Sequence, residues 1–368
     1  MAGDCVTFGV VARIQSSAKA SGHQPMTRKY NSISRRKTPW DNLENVTPLE
    51  SFLRCETKRE YQEKHPDLRS TDEATLVNSF DSSICPRCGS DHTKHIGFTK
   101  NGIISHYCFK CKHKFGPLTN TIFENHKISI RQWIDYWRNL LQYLSLNADS
   151  WNNKNAFTTS KYWFKKTCMI LENYQDDIVL KDCVWYDVTY LPVRASDIQR
   201  HDNGHKLRGH SKNQLAIGTA RDKSHVVIQV LGTGQPGQKR VYEKFKDHIA
   251  EGTKLITDKD VDHRLLVKKL NVVNEEYDSK VAKGMPDDQN HLQPINQLHS
   301  LLQKFLRAHS GFKREDLEDY CNLFAFIVNP PENKLEKIEI LLKLGFENHK
   351  TLKYRDLFSV NKPHPQNK

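Results

Sequence analysis

The chain has 368 residues, with 56 Lys and Arg against 43 Asp and Glu, a formal net charge of +13 and a pI near 9.2. Hydrophobic residues make up 37 % and charged residues 27 %, enough apolar material for two or three folded domains. The longest apolar run, Leu323 to Val328, is far short of the roughly 20 residues of a membrane span. Met1 to Gly9 lacks the basic start and apolar stretch of a secretory leader, so neither a membrane protein nor a secreted one is expected, and the positive balance points to a polyanion, most simply nucleic acid.

Residues 1–40 are rich in Ser, Lys, Arg and Gln without a period and read as a disordered basic N-terminus; Met26 offers an alternative start. Residues 41–80 hold two short amphipathic stretches, around Leu49 to Leu53 and Thr75 to Phe80, and read as a small helical segment.

Residues 81–118 read as a zinc ribbon. Cys85-Pro-Arg-Cys88-Gly is followed, eighteen residues on, by Cys108-Phe-Lys-Cys111. Each Cys-x-x-Cys folds as a tight knuckle, Gly89 supplying a positive φ after the first, and two knuckles place four thiolates around one Zn²⁺. Four thiolates close such a site, so His92, His95, His106 and His113 read as exposed polar residues. The other cysteines, Cys5, Cys55, Cys168, Cys183 and Cys321, are scattered and odd in number, which suits small buried hydrophobes better than a disulfide framework.

Residues 119–178 read as a helical segment of helix-turn-helix type. Ile130, Trp133, Ile134, Trp137, Leu140, Leu141 and Leu144 recur at helical spacing; Asn147 to Asn155 is a polar break; Thr158 to Tyr174 is helical again. Between Cys85 and Glu172, 13 Lys and Arg face 5 Asp and Glu, a net +8 that is most of the chain's +13. Basic residues interleaved with aromatics favour contact with DNA phosphates. The candidates are Arg87, Lys110, Lys112 and Lys114 in the ribbon, and Lys161, Lys165 and Lys166 on a second helix suited to the major groove.

Residues 179–330 read as a mixed α/β core. Val184 to Tyr190, Gln214 to Ala220, His225 to Leu231 and Lys254 to Thr257 are strand candidates, and Val241 to Ile249, Val261 to Leu270, Ile295 to Arg307 and Arg314 to Val328 have helical spacing. Asn274 to Asn290 is polar. Asp187 lies within the first strand and Asp258 closes the last; brought together, two such carboxylates repel and invite a divalent cation. Taken singly, each is better explained as a turn or cap residue. Residues 331–368 read as a short C-terminal helix and polar tail.

These features together resemble the ISXO-type transposases of bacterial insertion sequences, over about Cys85 to Val328. The resemblance is carried by the two Cys knuckles, Leu118-Thr-Asn-Thr-Ile-Phe123 followed by Trp133, Asp187-Val-Thr, Arg208-Gly-His-Ser211 followed by Gln214, Thr257-Asp258, Asn296-Gln-Leu-His299-Ser-Leu-Leu, and Gly311-Phe followed by Leu317, Tyr320 and Phe324. It implies a zinc ribbon, a helix-turn-helix-like segment and an RNase H-like core of the DDE type. It also implies metal-dependent cleavage and strand transfer of double-stranded DNA at terminal inverted repeats, with one structural Zn²⁺ and two catalytic Mg²⁺ or Mn²⁺ ions. Asp187 and Asp258 would be metal ligands. The third ligand would be His299 or Asn296, which share a helix face, with His299 favoured; Arg208 would join the DNA contacts. A homo-oligomer on DNA, in the bacterial cytoplasm at the nucleoid, would follow. Val188 stands where the family has Glu, and Gln303, beside Lys304, where it has Lys. A second reading is a zinc-ribbon DNA-binding regulator on an inert RNase H-like scaffold; convergence of Asp187, Asp258 and His299 separates the two.

Overall fold

The computed structural model describes residues 47–49, 52–53, 71–124, 128–309 and 311–358. The expected disordered N-terminus lies outside the described residues, as do Cys5 and Cys55. The chain divides into two compact units, Met1–Thr57 and Lys58–Lys368. Of the first, Pro48, Leu49, Phe52 and Leu53 are helical. The second carries every element below.

Helix α1 (Thr71–Asn78) leads into a three-stranded antiparallel sheet, β1 (Thr93–Phe98), β2 (Ile104–Cys108) and β3 (Lys114–Phe115), in that order. Asn78 fastens the two together: its Oδ1 accepts from the Ile104 N–H at 2.9 Å and its Nδ2 donates to the Gly102 carbonyl at 2.9 Å.

Three helices follow rather than two: α2 (Ile130–Leu140), α3 (Leu146–Asn152) and α4 (Phe157–Leu171). Ser129 and Gln132 form a reciprocal capping box at the start of α2. Helix α3 occupies the stretch expected to be a break, because Ser145 caps it and Asp149 within it is a junction. The buried Asp149 carboxylate accepts from Asn139 of α2 at 3.1 Å, Asn153 at 2.5 Å and Ser160 of α4 at 2.6 Å. Trp133, Tyr136, Trp137 and Trp163 pack at the centre of this layer with almost no exposure, each contributing roughly 2–3 kcal/mol by burial.

The large sheet holds β4 (Cys183–Pro192), β5 (Gln214–Arg221), β6 (Val226–Thr233), β7 (Lys254–Asp258) and β8 (Val273–Tyr277), in the order β6-β5-β4-β7-β8. The pairs β4–β5 and β5–β6 are antiparallel; β4–β7 and β7–β8 are parallel. This is the order and direction pattern of an RNase H-like core. Alternation along the strands sends side chains to two layers. Val184, Tyr186 and Leu255 meet α5 (Gln238–Phe245) and α6 (Arg264–Leu270) on one face. Ile217, Ile228 and Ile256 meet α8 (Gln293–Ala308) and α9 (Leu317–Val328) on the other. The fifth strand, β8, and the short α7 (Ser279–Ala282) lie in or beside the stretch expected to be only polar.

The outer edge of β6 is covered by side chains. Gln175 accepts from the Ile228 N–H at 2.7 Å and donates to its carbonyl at 3.0 Å. Asn329 does the same at Val226, at 2.6 and 3.0 Å.

The C-terminal region is more than a short helix: α10 (Lys334–Glu347) is followed by α11 (Tyr354–Phe358). Phe346 of α10 stacks on Phe80 at 4.2 Å and lies 4.7 Å from Phe123. Beside it the backbone approaches so closely that a Cβ on Gly345 would stand 2.8 Å from the Phe123 ring. Lys337 is buried and donates to the carbonyls of Phe326, at 2.7 Å, and Asn329, closing the end of α9. Burial lowers its amine to about 8.

Candidate metal centres and nucleic-acid interface

The ribbon knuckles converge as their spacing predicts. The Cys85 and Cys111 sulfurs are 3.7 Å apart and those of Cys88 and Cys108 3.6 Å apart. Four sulfurs at about 2.3 Å from a central Zn²⁺ stand about 3.8 Å from one another, so the donor set fits a tetrahedral ion. Gly89 takes φ +68° after the first knuckle, and Lys112, a non-glycine residue, takes φ +57° after the second. The Cys111 backbone N–H, directed at the Cys108 sulfur, lowers that thiol to about 6, which favours the thiolate a metal requires. The ribbon histidines depart from expectation at one position. His106 is buried, bonded to the Asp81 carboxylate at 2.9 Å and stacked 5.1 Å from Phe115; a strand side chain opposite β3 has nowhere else to go.

In the large sheet, Trp185 of β4 is in register with Ile256 of β7. The pairing ends there, and Asp187 and Asp258 each stand two residues further on, on the face covered by α8 and close enough for the charge of Asp258 to act on Asp187. Antiparallel pairing on the other side sets Asp187 opposite Thr219 of β5. Helix α8 brings His299 over this point, with Nδ1 3.6 Å from Asp187 Oδ2 and Nε2 2.6 Å from Thr219 Oγ1. The Thr219 hydroxyl has one proton and donates it to the Asp187 carbonyl at 3.0 Å. His299 Nε2–H therefore donates to Thr219, which leaves Nδ1 as a bare lone pair turned toward the Asp187 carboxylate. Burial lowers His299 to about 4, so it is neutral. Burial, and then the charge of Asp258, raise Asp187 to about 7. Burial also raises Asp258, and the nearby Asp260 and Asp262 add to the effect.

Asp187 and the His299 lone pair, with Asp258 nearby, offer donors that suit a divalent cation, the oxygens fitting Mg²⁺ and the nitrogen fitting Mn²⁺ better. The group is open: among the described residues, the four cysteines are the one set of three or more His, Cys, Asp or Glu ligand atoms all within 4.8 Å of one another. Asn296, one helical turn before His299, is exposed. Thr219, Asp260 and Asp262 escaped the sequence reading. The alternation Asp258-x-Asp-x-Asp262 was a visible signal; nothing marked Thr219 before its strand partner was known.

The expected DNA-facing cations sort into three groups. Lys110, Lys112, Lys114 and Arg208 are exposed. Arg87 is half-exposed and paired with Glu124 at 2.7 Å, and Lys161 is half-buried. Lys165 and Lys166 correct the expectation of a recognition helix. Helix α4 is buried on most of its circumference. Lys165 bridges Asp316 and Asp319 at 2.8 and 2.6 Å. Lys166 is wholly buried, donates to the Ile122 carbonyl and is lowered to about 7 by that burial. Lys166 is enclosed by the protein, and Lys165, though partly exposed, is already held by two carboxylates.

No family model matches the chain, and no curated protein does. Among solved structures, the chain is similar to a simian T-cell lymphotropic virus intasome in complex with the PP2A regulatory subunit B56 gamma, at 9 % identity over 54 % of this chain and 67 % of that one, with a TM-score of 0.26. It is also similar to a pre-cleavage Mos1 transpososome, at 10 % identity over 57 % and 78 %, TM-score 0.19. A third likeness is to the Mos1 transposase paired-end complex with the left transposon end, at 11 % identity over 56 % and 78 %, TM-score 0.20. At such identities and scores these likenesses carry no weight; the strand order and the site geometry do.

Proposed function

We propose that the chain is a DNA transposase of an insertion sequence, binding terminal repeats and cutting and rejoining DNA. The observation that carries this reading is that Asp187 and Asp258 lie two residues past the last paired residues of neighbouring parallel strands, within reach of one another's charge, with His299 Nδ1 3.6 Å from Asp187. In this reading Asp187, Asp258 and His299 hold the catalytic Mg²⁺ or Mn²⁺, which when bound polarises a phosphodiester and activates water or a 3′-hydroxyl. Thr219 fixes the His299 tautomer so that Nδ1 is free to bind. Asp187 and Asp258, near one another in a half-buried site, supply the negative charge that recruits the cation. The Cys85, Cys88, Cys108 and Cys111 set holds a structural Zn²⁺. The ribbon cations Arg87, Lys110, Lys112 and Lys114, with Arg208, grip DNA, and Lys161 stands at their margin.

Cleavage of duplex DNA carrying the element ends, with Mg²⁺ or Mn²⁺, tests the reading. The native protein should cut. Asp258→Asn should lower the rate at least about 1000-fold, since metal stabilisation of the transition state is worth several kcal/mol, while leaving metal-free DNA binding in place. Native protein that binds the ends and never cuts them would favour the DNA-binding regulator instead.

A further inference from the structure

Between β4 and β5 the chain makes an excursion, residues 193–213, that the fold does not need. It carries Arg194, Arg200, Lys206, Arg208 and Lys212 against Asp197 and Asp202, a net +3. Although mostly exposed, it is built rather than loose. Arg200 and Lys206 pair as an antiparallel bridge around a tight tip, in which the His201 and Gly204 N–H groups bond to the carbonyls of His205 and His201 at 2.8 Å each. At its base the buried Asn213 clasps Gln199 through both backbone groups, at 2.7 and 2.8 Å. His210 lies against the Tyr190 ring of β4 at 4.1 Å, three residues past Asp187.

Two further observations bear on what this arm can hold. Some cations of the core find carboxylates, as Lys254 does with Glu275 at 2.8 Å and Lys259 with Asp278 at 3.2 Å. Among the described residues none of the five arm cations forms an ion pair, nor do Arg307 and Arg314. Arg314 donates to the Pro192 carbonyl at 3.0 Å, at the root of the arm, and Arg194 is close enough for its charge, after burial, to work against that of Arg314. Like charges gathered without a counter-ion are a cost that a phosphate relieves.

The second observation is a path. On α8, His299, Gln303 and Arg307 follow at four-residue intervals and so share one face. Gln303 donates to Thr189 at 3.3 Å. A cleft of about 360 Å³ continues from there along β4 to the root of the arm, with an apolar floor that includes Leu302, Leu306 and Phe312 and with Gln303, Arg307 and Arg314 among its polar lining.

We propose that this cleft and the arm form one track that holds the sugar-phosphate backbone of a DNA strand leading away from the Asp187–His299 site. The proposal rests on the transposase reading for what happens at the site, and its test does not.

The test is binding of a short fluorescein-labelled DNA duplex, followed by anisotropy without added Mg²⁺ or Mn²⁺, from roughly 50 to 300 mM KCl. Each lost phosphate contact makes the log–log salt dependence shallower by ~0.9. Replacing Arg200, Lys206, Arg208 and Lys212 by Gln should therefore flatten the slope by roughly 3 and weaken binding at least about ten-fold at the low-salt end. Arg307→Gln should flatten it by about 1. As a control, Lys239, Arg264, Lys268 and Lys269, on the α5 and α6 side of the sheet, are replaced by Gln in the same way. An unchanged slope in the arm variant overturns the track, and so does an equal loss in the control. Arm-dependent binding by a protein that never cleaves DNA sinks the transposase reading and leaves the track standing; cleavage with an arm variant that binds as the native does is the reverse.

Discussion

A single hydroxyl decides how the candidate catalytic site is wired. Because Thr219 spends its proton on the Asp187 carbonyl, His299 must present Nδ1 bare to a carboxylate, and only a proton or a cation makes that arrangement favourable. The consequence for pH can be worked out. Asp187 sits near 7 against its usual 3.8, so the folded state holds that proton more tightly, and metal-free stability falls as pH rises from about 4 to 7. His299, lowered from 6.5 to about 4, acts oppositely: its contribution is full above 6.5 and is lost as pH falls toward 4. The two offset one another in the acid range, and above neutrality the charged Asp187 stands as an uncompensated cost. Asp187→Asn, whose amide can donate to the bare Nδ1, should raise the metal-free melting temperature at pH 8 by about 2 °C or more. It should also abolish the rise that Mg²⁺ gives the native protein; thermal denaturation with and without Mg²⁺ measures both. At this scale the sequence made the cysteines and the two aspartates visible, because spacing and strand position are local. Lys165, Lys166 and His106 were misread because their surroundings come from segments distant in the chain: Asp316 and Asp319, the Ile122 carbonyl, and Asp81.

Among the elements, the ribbon shows how far local rules reach. Both knuckles need a left-handed residue after their second cysteine. The first has Gly89 and the second has Lys112, where a side chain costs roughly 1 kcal/mol. Lys112→Gly should relieve that strain, and because metal binding and ribbon folding are one equilibrium, zinc affinity measured by competition with a chelator should rise about five-fold. The strands β4, β5 and β6 were legible from runs of β-branched and aromatic residues. Strand β8 was not: Val273-Asn-Glu-Glu-Tyr277 has almost no apolar content, and it becomes a strand by pairing with β7 and by the Lys254–Glu275 bridge. Helix α3 escaped because its worth lies in Asp149, a polar residue whose three partners on other turns and helices make it a core group.

Over the whole molecule, the two ends of the second unit are bolted together. Phe80, from the turn after α1, and Phe123, from the segment below the ribbon, both close on Phe346 of α10. Phe123 is also wedged against Trp133 and Trp137, at 5.5 and 6.3 Å, so it cannot give way. Gly345→Ala should therefore cost about 1–2 kcal/mol by overpacking, despite the better helix propensity of alanine, and the loss would show as a lower denaturation midpoint. This closure was invisible in sequence, where the C-terminal segment carried no sign of the partner it meets more than 200 residues upstream.

The amide pair on β6 bears on how copies of the chain can meet. Gln175 and Asn329 imitate a neighbouring strand, and between them they occupy both outward N–H groups and both outward carbonyls of Val226 and Ile228. A strand from a second copy arriving at that end of β6 would find these sockets filled. That stretch of the edge is closed to strand pairing, so copies of the chain would have to join through other surfaces.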